Sequence, residues 1–567
     1  MRVPCRAFLR RCLSTAAKWI GPDRTAYCSD IASMPVGTPV RVCGFLHAVR
    51  PLGHMLFVVV EDGRGRVQGV WSKDRARGGP DQFASVAGAL RVHQVCVVDG
   101  TVKQNRPGDR NEIAMDDIRV ISDVGVDRWS LPDDASKGDV ALRYRYLALR
   151  RPELHQVLHL RSKASRVIRD FLDDNSFTEV ETPVLLPSSP EGAREFLVPT
   201  RYPKEYYALA QSPQIFKQLL MVGGFDRYFQ FARCFRDEDG RADRQVEFTQ
   251  IDAEMAFVGS DEVMNATEAM LCHLATALPE TRLGLPPGPF PRYTYDEVMM
   301  RYGTDKPDLR FGMEIQDLGD GWFGFLSPGL SQVPAEQWSH GECCKVVPVS
   351  EAGQGVLSHF PDSKPDDCLV LSRNLKGIGL SRVSIASLLH SHGLLEYTDP
   401  QWLWVTNMPM FEVSEEDPDR LQCCHHPFTA PVERGAFLSA NTRDELLALR
   451  SQSYDLVVNG IELGGGSIRI HREDDQRRVL CSILQRPADQ YAALLDGLRH
   501  GAPPHGGIAI GFDRLVSLFG TPNHPRAIRD VIAFPKTAGG RDLMMGAPAR
   551  LYSSPPRPPV HAERVNA

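Results

Sequence analysis

The dipeptide Asn459-Gly460 constrains the fold more than any other feature of this sequence. It separates an apolar run ending at Val458 from one beginning at Ile461. Asn-Gly in that setting signals a two-residue hairpin, because both central residues must take positive φ. The turn sets a register in which Val458 faces Ile461 and Val457 faces Glu462. Asp455 then shares a face with Glu462, at the diagonal position roughly 7–8 Å away at the backbone. Two carboxylates so placed repel unless a cation lies between them. Mg²⁺, which prefers oxygen ligands and keeps several waters, fits Asp455 and Glu462. The run Gly464-Gly-Gly-Ser-Ile-Arg469-Ile-His471 follows. Arg469 is an odd number of positions from Glu462, so a strict pleat points it to the other face. For both to line one pocket, the glycines must supply a bulge or break.

Three further segments carry polar chemistry on regular elements. Gln211 to Gly224 reads as a helix that Ser212 can cap, with Pro213 at the first position and Gly223-Gly224 at the stop. Its buried stripe is expected to be Ile215, Phe216, Leu219 and Leu220. Gln214 and Lys217 share a face near the positive end of the helix dipole. A lysine there has either an anionic partner or only solvent. Tyr228–Arg236 and Glu247–Phe257 read as strands, and Gln250, Asp252 and Glu254 alternate onto one face of the second. The connecting loop holds Arg236, Arg241 and Arg244 among acids. It suits either a phosphate and purine or a solvated hairpin tip. His505 to Arg514 runs a short strand into a helix start, where an arginine makes an anion site. No Walker A pattern is present.

Composition excludes more than it identifies. The 567 residues are 42% hydrophobic, which excludes a mainly disordered chain and suggests several domains. No run of about eighteen apolar residues occurs, so a membrane span is not expected. The net charge of −6 gives no global reason to expect a nucleic-acid binder. Residues 1–22 differ: Arg2, Arg6, Arg10, Arg11 and Lys18 occur with no acid, as in a basic amphipathic mitochondrial presequence; a basic tail is the alternative. Short apolar runs over 36–122 fit a small closed barrel such as an OB-fold, with a sandwich fragment as the alternative. The 13 cysteines make no disulfide framework, and the adjacent pairs Cys343/Cys344 and Cys423/Cys424 lack zinc-site spacing. They read as free thiols of a reducing compartment.

Taken together, these segments resemble the class II aminoacyl-tRNA synthetases. Glu179-Val-Glu-Thr-Pro183 resembles motif 1, Phe235-Arg236-Asp-Glu238 through Phe248 resembles motif 2, and Gly507 to Arg514 resembles motif 3. Ser189-Pro-Glu-Gly-Ala-Arg194, QSPQxFKQLLM, FTQID, YGTDKPDLR, His425-His-Pro-Phe-Thr429, GGGSxRIH and IRDVIAFPK are closest to the aspartyl-specific branch of bacterial and mitochondrial type. The resemblance implies an α+β multidomain chain. It would hold a presequence (1–22), an OB-fold anticodon-binding domain (23–127) and a hinge (128–152). A class II antiparallel-sheet catalytic core (153–304 and 404–545) would be interrupted by an inserted α+β domain (305–403) and followed by a flexible tail (546–567).

The resemblance also implies roles. L-aspartate would meet Glu191, Ser212, Gln214, Lys217, Arg236, Asp252, His425 and Arg469. ATP would meet Arg236, Asp237, Glu238, Gln245, Phe248, Glu462, Gly511, Phe512, Asp513 and Arg514, with Arg236 and Arg514 catalytic. Asp455 and Glu462 would hold Mg²⁺, and Arg50, Phe57 and Gln68 would read the anticodon of tRNA-Asp. A homodimer without membrane attachment, in the mitochondrial matrix, completes the expectation. Two positions depart from the pattern: Ala114 stands where a second carboxylate is usual, and Val246 where proline is usual. The rival readings are an asparaginyl- or lysyl-type enzyme, a catalytically silent tRNA-binding paralogue and an ammonia-dependent amide synthetase. The Lys217/Arg469 pair opposes the first, intact motif 2 and 3 arginines the second, and the barrel the third.

Overall fold

The computed structural model describes residues 24–76, 79–104, 108, 110–123, 138–188, 194–241, 243–338, 344–414, 417–521 and 525–550. The leader, Glu191 and the residues from 551 onward lie outside them. The chain divides into two compact units, Met1–His155 and Gln156–Ala567.

The first unit holds a closed barrel. Strands β1 (Pro39–Leu52), β2 (Met55–Asp62) and β3 (Gly65–Ser72) are followed by helix α1 (Gly79–Ala89), β4 (Val95–Lys103) and β5 (Glu112–Ser122). The barrel closes in the order β1-β2-β3-β5-β4. Period-two alternation explains it: Leu56, Val58 and Val60 point inward with Val67 and Trp71, and their neighbours point out. The stretch read as a hinge is helical at Asp139–Arg143 and Arg145–Ala148.

The second unit is built on an eight-stranded sheet. Helix α2 (Pro152–Asp174) buries Val157, Ala164, Ile168 and Leu172 along one face. It leads into β6 (Thr178–Glu179), helix α3 (Gln214–Val222), β7 (Arg227–Phe235), β8 (Glu247–Ala256), helix α4 (Ser260–Ala277) and β9 (Arg292–Thr294). An inserted module follows. Strands β10 (Gln316–Gly319), β11 (Trp322–Ser327), β12 (Cys344–Pro348) and β13 (Cys368–Ser372) pack with helix α5 (Leu375–Ser391) around a core that includes Phe325, Val370, Ile378 and Ile385. The chain then returns as β14 (Trp402–Thr406), β15 (Ser453–Val458), β16 (Ile461–Ile468) and β17 (His505–Gly511), ending in helix α6 (Phe512–Ser517). The sheet order is β9-β14-β15-β16-β17-β8-β7-β6, antiparallel except at its two edges. Helices α2 and α4 contribute to the apolar core with Ile251, Met255, Ile508 and Ile510; on β8 the alternating residues Gln250, Asp252 and Glu254 face the other way. Among the described residues no helix is long and apolar enough to cross a membrane.

Helix α3 corrects two expectations. Ser212 makes no capping bond, and Pro213 stands at the cap position instead. The buried face is Lys217, Gln218 and Met221, while Ile215, Phe216, Leu219 and Leu220 are half-buried. A polar face turns inward because it faces a cavity.

Candidate active site

That cavity, about 370 Å³, opens above β8, β16 and β17. The three strands bring together residues that lie far apart in the sequence. Its floor is an ion-pair cluster. Lys217 Nζ lies 2.9 Å from Asp252 Oδ1 and 3.5 Å from Glu254 Oε2. Arg469 donates from Nε to Glu254 Oε1 at 2.9 Å and from Nη2 to Glu254 Oε2 at 3.1 Å, a bidentate pair. All four side chains are at most 1% exposed. Burial alone would raise the Glu254 carboxyl, but Arg469 and Lys217 outweigh it and hold the group below its ordinary range. Arg469 Nη1 also meets Nε2 of His426. Burial, then the Arg469 charge, push that imidazole well below its ordinary pKa, so it accepts as the neutral form. Asp252 Oδ2 is buried and has no hydrogen-bond partner among the described residues. Ser212 and Gln214 line the same end.

The hairpin forms in the expected register, with Asn459 at φ 50° and Gly460 at φ 80°. The pairing then slips by one: Val457 faces Glu462, Leu456 faces Gly464, and Leu463 is the extra residue. This bulge restores the parity that puts Glu462 and Arg469 in one cavity. Asp455 faces Gly465, and a Cβ there would stand 2.4 Å from Asp455 Oδ1. Glycine leaves room for the carboxylate. Burial and the neighbouring Glu462 raise the Asp455 carboxyl, against the opposing pull of His425, whose Nε2 lies 3.1 Å away. Glu462 Oε2 lies 2.7 Å from Lys306 Nζ. His425 therefore belongs to the carboxylate end, while its neighbour His426 contacts Arg469.

The third wall carries flat and cationic groups. The Arg236 guanidinium stands over the Phe248 ring at 5.3 Å. Glu238 accepts from Arg244 Nη1 at 3.0 Å, and Gln245 exchanges two hydrogen bonds with the Lys536 backbone. Val246, at the unusual position, contributes its carbonyl to Arg236 N at 2.9 Å. Arg514 donates to the Glu462 carbonyl at 2.7 Å and reaches Asp243 at 3.3 Å, beside Gly511. Of the expected nucleotide contacts, two lie off the cavity, while Asp513 lines it with its carboxylate engaged. Phe512 is in the core, edge-on to Phe231, and does not line the cavity. Asp237 is paired outward with Arg194 at 2.6 Å. Asp513 touches the cavity but is held by Thr249 N at 2.9 Å and Arg161 at 2.6 Å, which makes it a strut for β8.

A family model described as tRNA synthetases class II (D, K and N) matches residues 137–538, and one described as an OB-fold nucleic acid binding domain matches 40–121. The chain belongs to the class II tRNA synthetases. It is 39% identical to a protein named aspartate–tRNA ligase from Geobacillus kaustophilus, over 93% of this chain and 96% of that one. It is 38% identical to one named aspartate–tRNA(Asp/Asn) ligase from Symbiobacterium thermophilum, over 93% and 97%. Its fold is similar to that of asparaginyl-tRNA synthetase from Pyrococcus horikoshii solved with asparaginyl-adenylate (TM-score 0.62, 20% identity, covering 93% of this chain and 99% of that one).

Sequence reasoning missed four residues of this synthetase's site: Glu254, Lys306, His426 and Lys536. Glu254 was visible in the strand alternation, but nothing local shows that it holds both cations. In the barrel, Arg50 pairs across with Phe57, and Val59 with Gln68, so the three expected anticodon residues share the outer face. Gln68 donates to the buried Glu112 at 2.6 Å, and Lys103 reaches the other Glu112 oxygen at 3.0 Å. Ala114, buried on β5, stands where a second carboxylate is usual.

Proposed function

We propose that this synthetase is an aspartate–tRNA ligase. It activates L-aspartate with ATP to aspartyl-adenylate, releases pyrophosphate, and transfers aspartate to the 3′ end of tRNA-Asp. The observation that carries this reading is the floor, where buried Lys217 and Arg469 sit beside the unpartnered Asp252 Oδ2. The two cations suit a side-chain carboxylate, and Asp252 Oδ2 suits the substrate ammonium. Neither a neutral amide nor an alkylammonium matches that pair.

Catalysis here is positioning and charge neutralisation, with no protein nucleophile. Arg236 spans from the reacting carboxylate to the α-phosphate, the adenine packs on Phe248 with Gln245 and Glu238 at its edge, and Arg514 takes the γ-phosphate. Asp455 and Glu462 would hold Mg²⁺, since two adjacent carboxylates, one raised by burial and by the other, suit an oxygen-preferring cation. When bound, Mg²⁺ supplies charge neutralisation on the phosphates. Single-stranded bases stack and hydrogen-bond on the Arg50, Phe57, Gln68 face. The exposed apolar side chains Leu185, Leu197 and Tyr206 support a homodimer. The basic leader supports action in the mitochondrial matrix.

The deciding experiment is pyrophosphate exchange into ATP by the full chain. It should require L-aspartate. Equal exchange with asparagine, or none with aspartate, would overturn the assignment.

A further inference from the structure

The stretch Gly303 to Met313 links the site to the inserted module. It starts at Gly303, with φ +67°, as the helix ending at Tyr302 stops. It is held on two sides. On one, the main chains of Gly303 and helix α5 touch: a Cβ at Gly379 would lie 2.6 Å from the Gly303 carbonyl and 2.7 Å from that of Tyr302. On the other, the hairpin turn presses in, with a Cβ on Gly460 only 3.3 Å from Asp308 Cβ and 3.7 Å from the Lys306 carbonyl. Lys306 then extends its amine to Glu462.

Arg382 of α5 locks this arrangement. It is fully buried, yet its guanidinium makes no salt bridge among the described residues. Nε donates to the Met313 carbonyl at 2.9 Å, and Nη2 donates to the carbonyls of Asp308, at 2.7 Å, and Gly312. Its plane covers the rings of Phe311 at 4.4 Å and Tyr302 at 4.8 Å. A buried guanidinium is expensive to desolvate, and with Nη1 buried and without a hydrogen-bond partner among the described residues, this one depends on those three carbonyls. These carbonyls converge only when the 303–313 segment keeps this one course.

We propose that Arg382 is a positioning residue for adenylate formation: through the main chain of 308–313 it fixes Lys306 against Glu462, and so couples the inserted module to the phosphate end of the site. The inference rests on the reading of Glu462 as part of the ATP site. Displacing a group by about 1 Å can lower rates on the order of a hundredfold. Arg382→Met should raise the KM for ATP on the order of tenfold to a hundredfold, and leave the KM for aspartate near the wild-type value.

The test is a cycle of Arg382→Met, Lys306→Met and the double variant in the full chain. It reads KM and kcat for both substrates in pyrophosphate exchange, and the thermal shift induced by Mg-ATP without aspartate. The double variant should be no worse than Lys306→Met alone. Additive losses, an unchanged KM for ATP, or equal losses for both substrates would overturn the proposal. If Arg382→Met does not fold, Gly379→Ala takes its place, since alanine favours the helix while its methyl displaces the Gly303 main chain. If the wild type shows no aspartate-dependent exchange, the aspartate reading fails, and the Mg-ATP shifts alone decide the role of Arg382.

Discussion

Glu254 is the hinge of the floor, since it holds both Arg469 and Lys217 without solvent. A carboxyl held below its unfolded pKa stabilises the fold fully above that value and loses the contribution as pH falls through the native one. For Glu254 the loss falls below its ordinary 4.5. Glu254→Gln should therefore flatten the acid limb of stability against pH, read by thermal melts at stepwise lower pH, and should lower stability at neutral pH. Lys217→Met removes one cation and leaves Asp252 and Glu254 with an uncompensated charge. An unpaired buried charge costs about 3–5 kcal/mol of stability, so the melting temperature should fall, and kcat/KM for aspartate should fall with the lost cation. The role of Lys217 and Arg469 was legible only through the family resemblance, since the helix alone left Lys217 with an anion or solvent and a strict pleat turned Arg469 away. The roles of Glu254, His426 and Lys306 were not legible. A strand's alternation says which side a residue faces and nothing about which distant helix supplies its partner.

Hairpin and bulge act together at the scale of elements. The Asn459-Gly460 turn was readable from local backbone preference, and the parity conflict between Glu462 and Arg469 showed that a slip must occur. The site of the slip, Leu463, is set by neighbouring strands and could not be read. Gly465→Ala should leave the hairpin intact but push the Asp455 carboxylate aside, because its Cβ would lie 2.4 Å from Oδ1. The expected result is a large drop in kcat for exchange with only a modest change in melting temperature. Helix α3 shows the opposite failure of pattern reading. Its apolar spacing pointed to one inward face, yet the inward face is the polar one, since a site-forming helix obeys the cavity and not the core.

Across the whole molecule, the −6 net charge concealed a distribution that only position reveals. Short apolar runs narrowed the first unit to a barrel or a sandwich fragment, and the antiparallel sheet of the second was legible only through the family resemblance. Their roles separate in experiment: Phe57→Ala and Gln68→Ala should weaken charging of tRNA-Asp several-fold and leave aspartate-dependent exchange unchanged. The quartet of Lys217, Asp252, Glu254 and Arg469 carries two positive and two negative groups in a dry floor. On the proposed reading, aspartate does not fall into a positive hole there; it would take partners from carboxylates already engaged. Salt, whose screening length is about 8 Å at physiological strength, acts weakly on such a trade. Added KCl should leave aspartate affinity nearly flat while steadily loosening the polyanionic tRNA, so a single titration separates the two substrates of one enzyme.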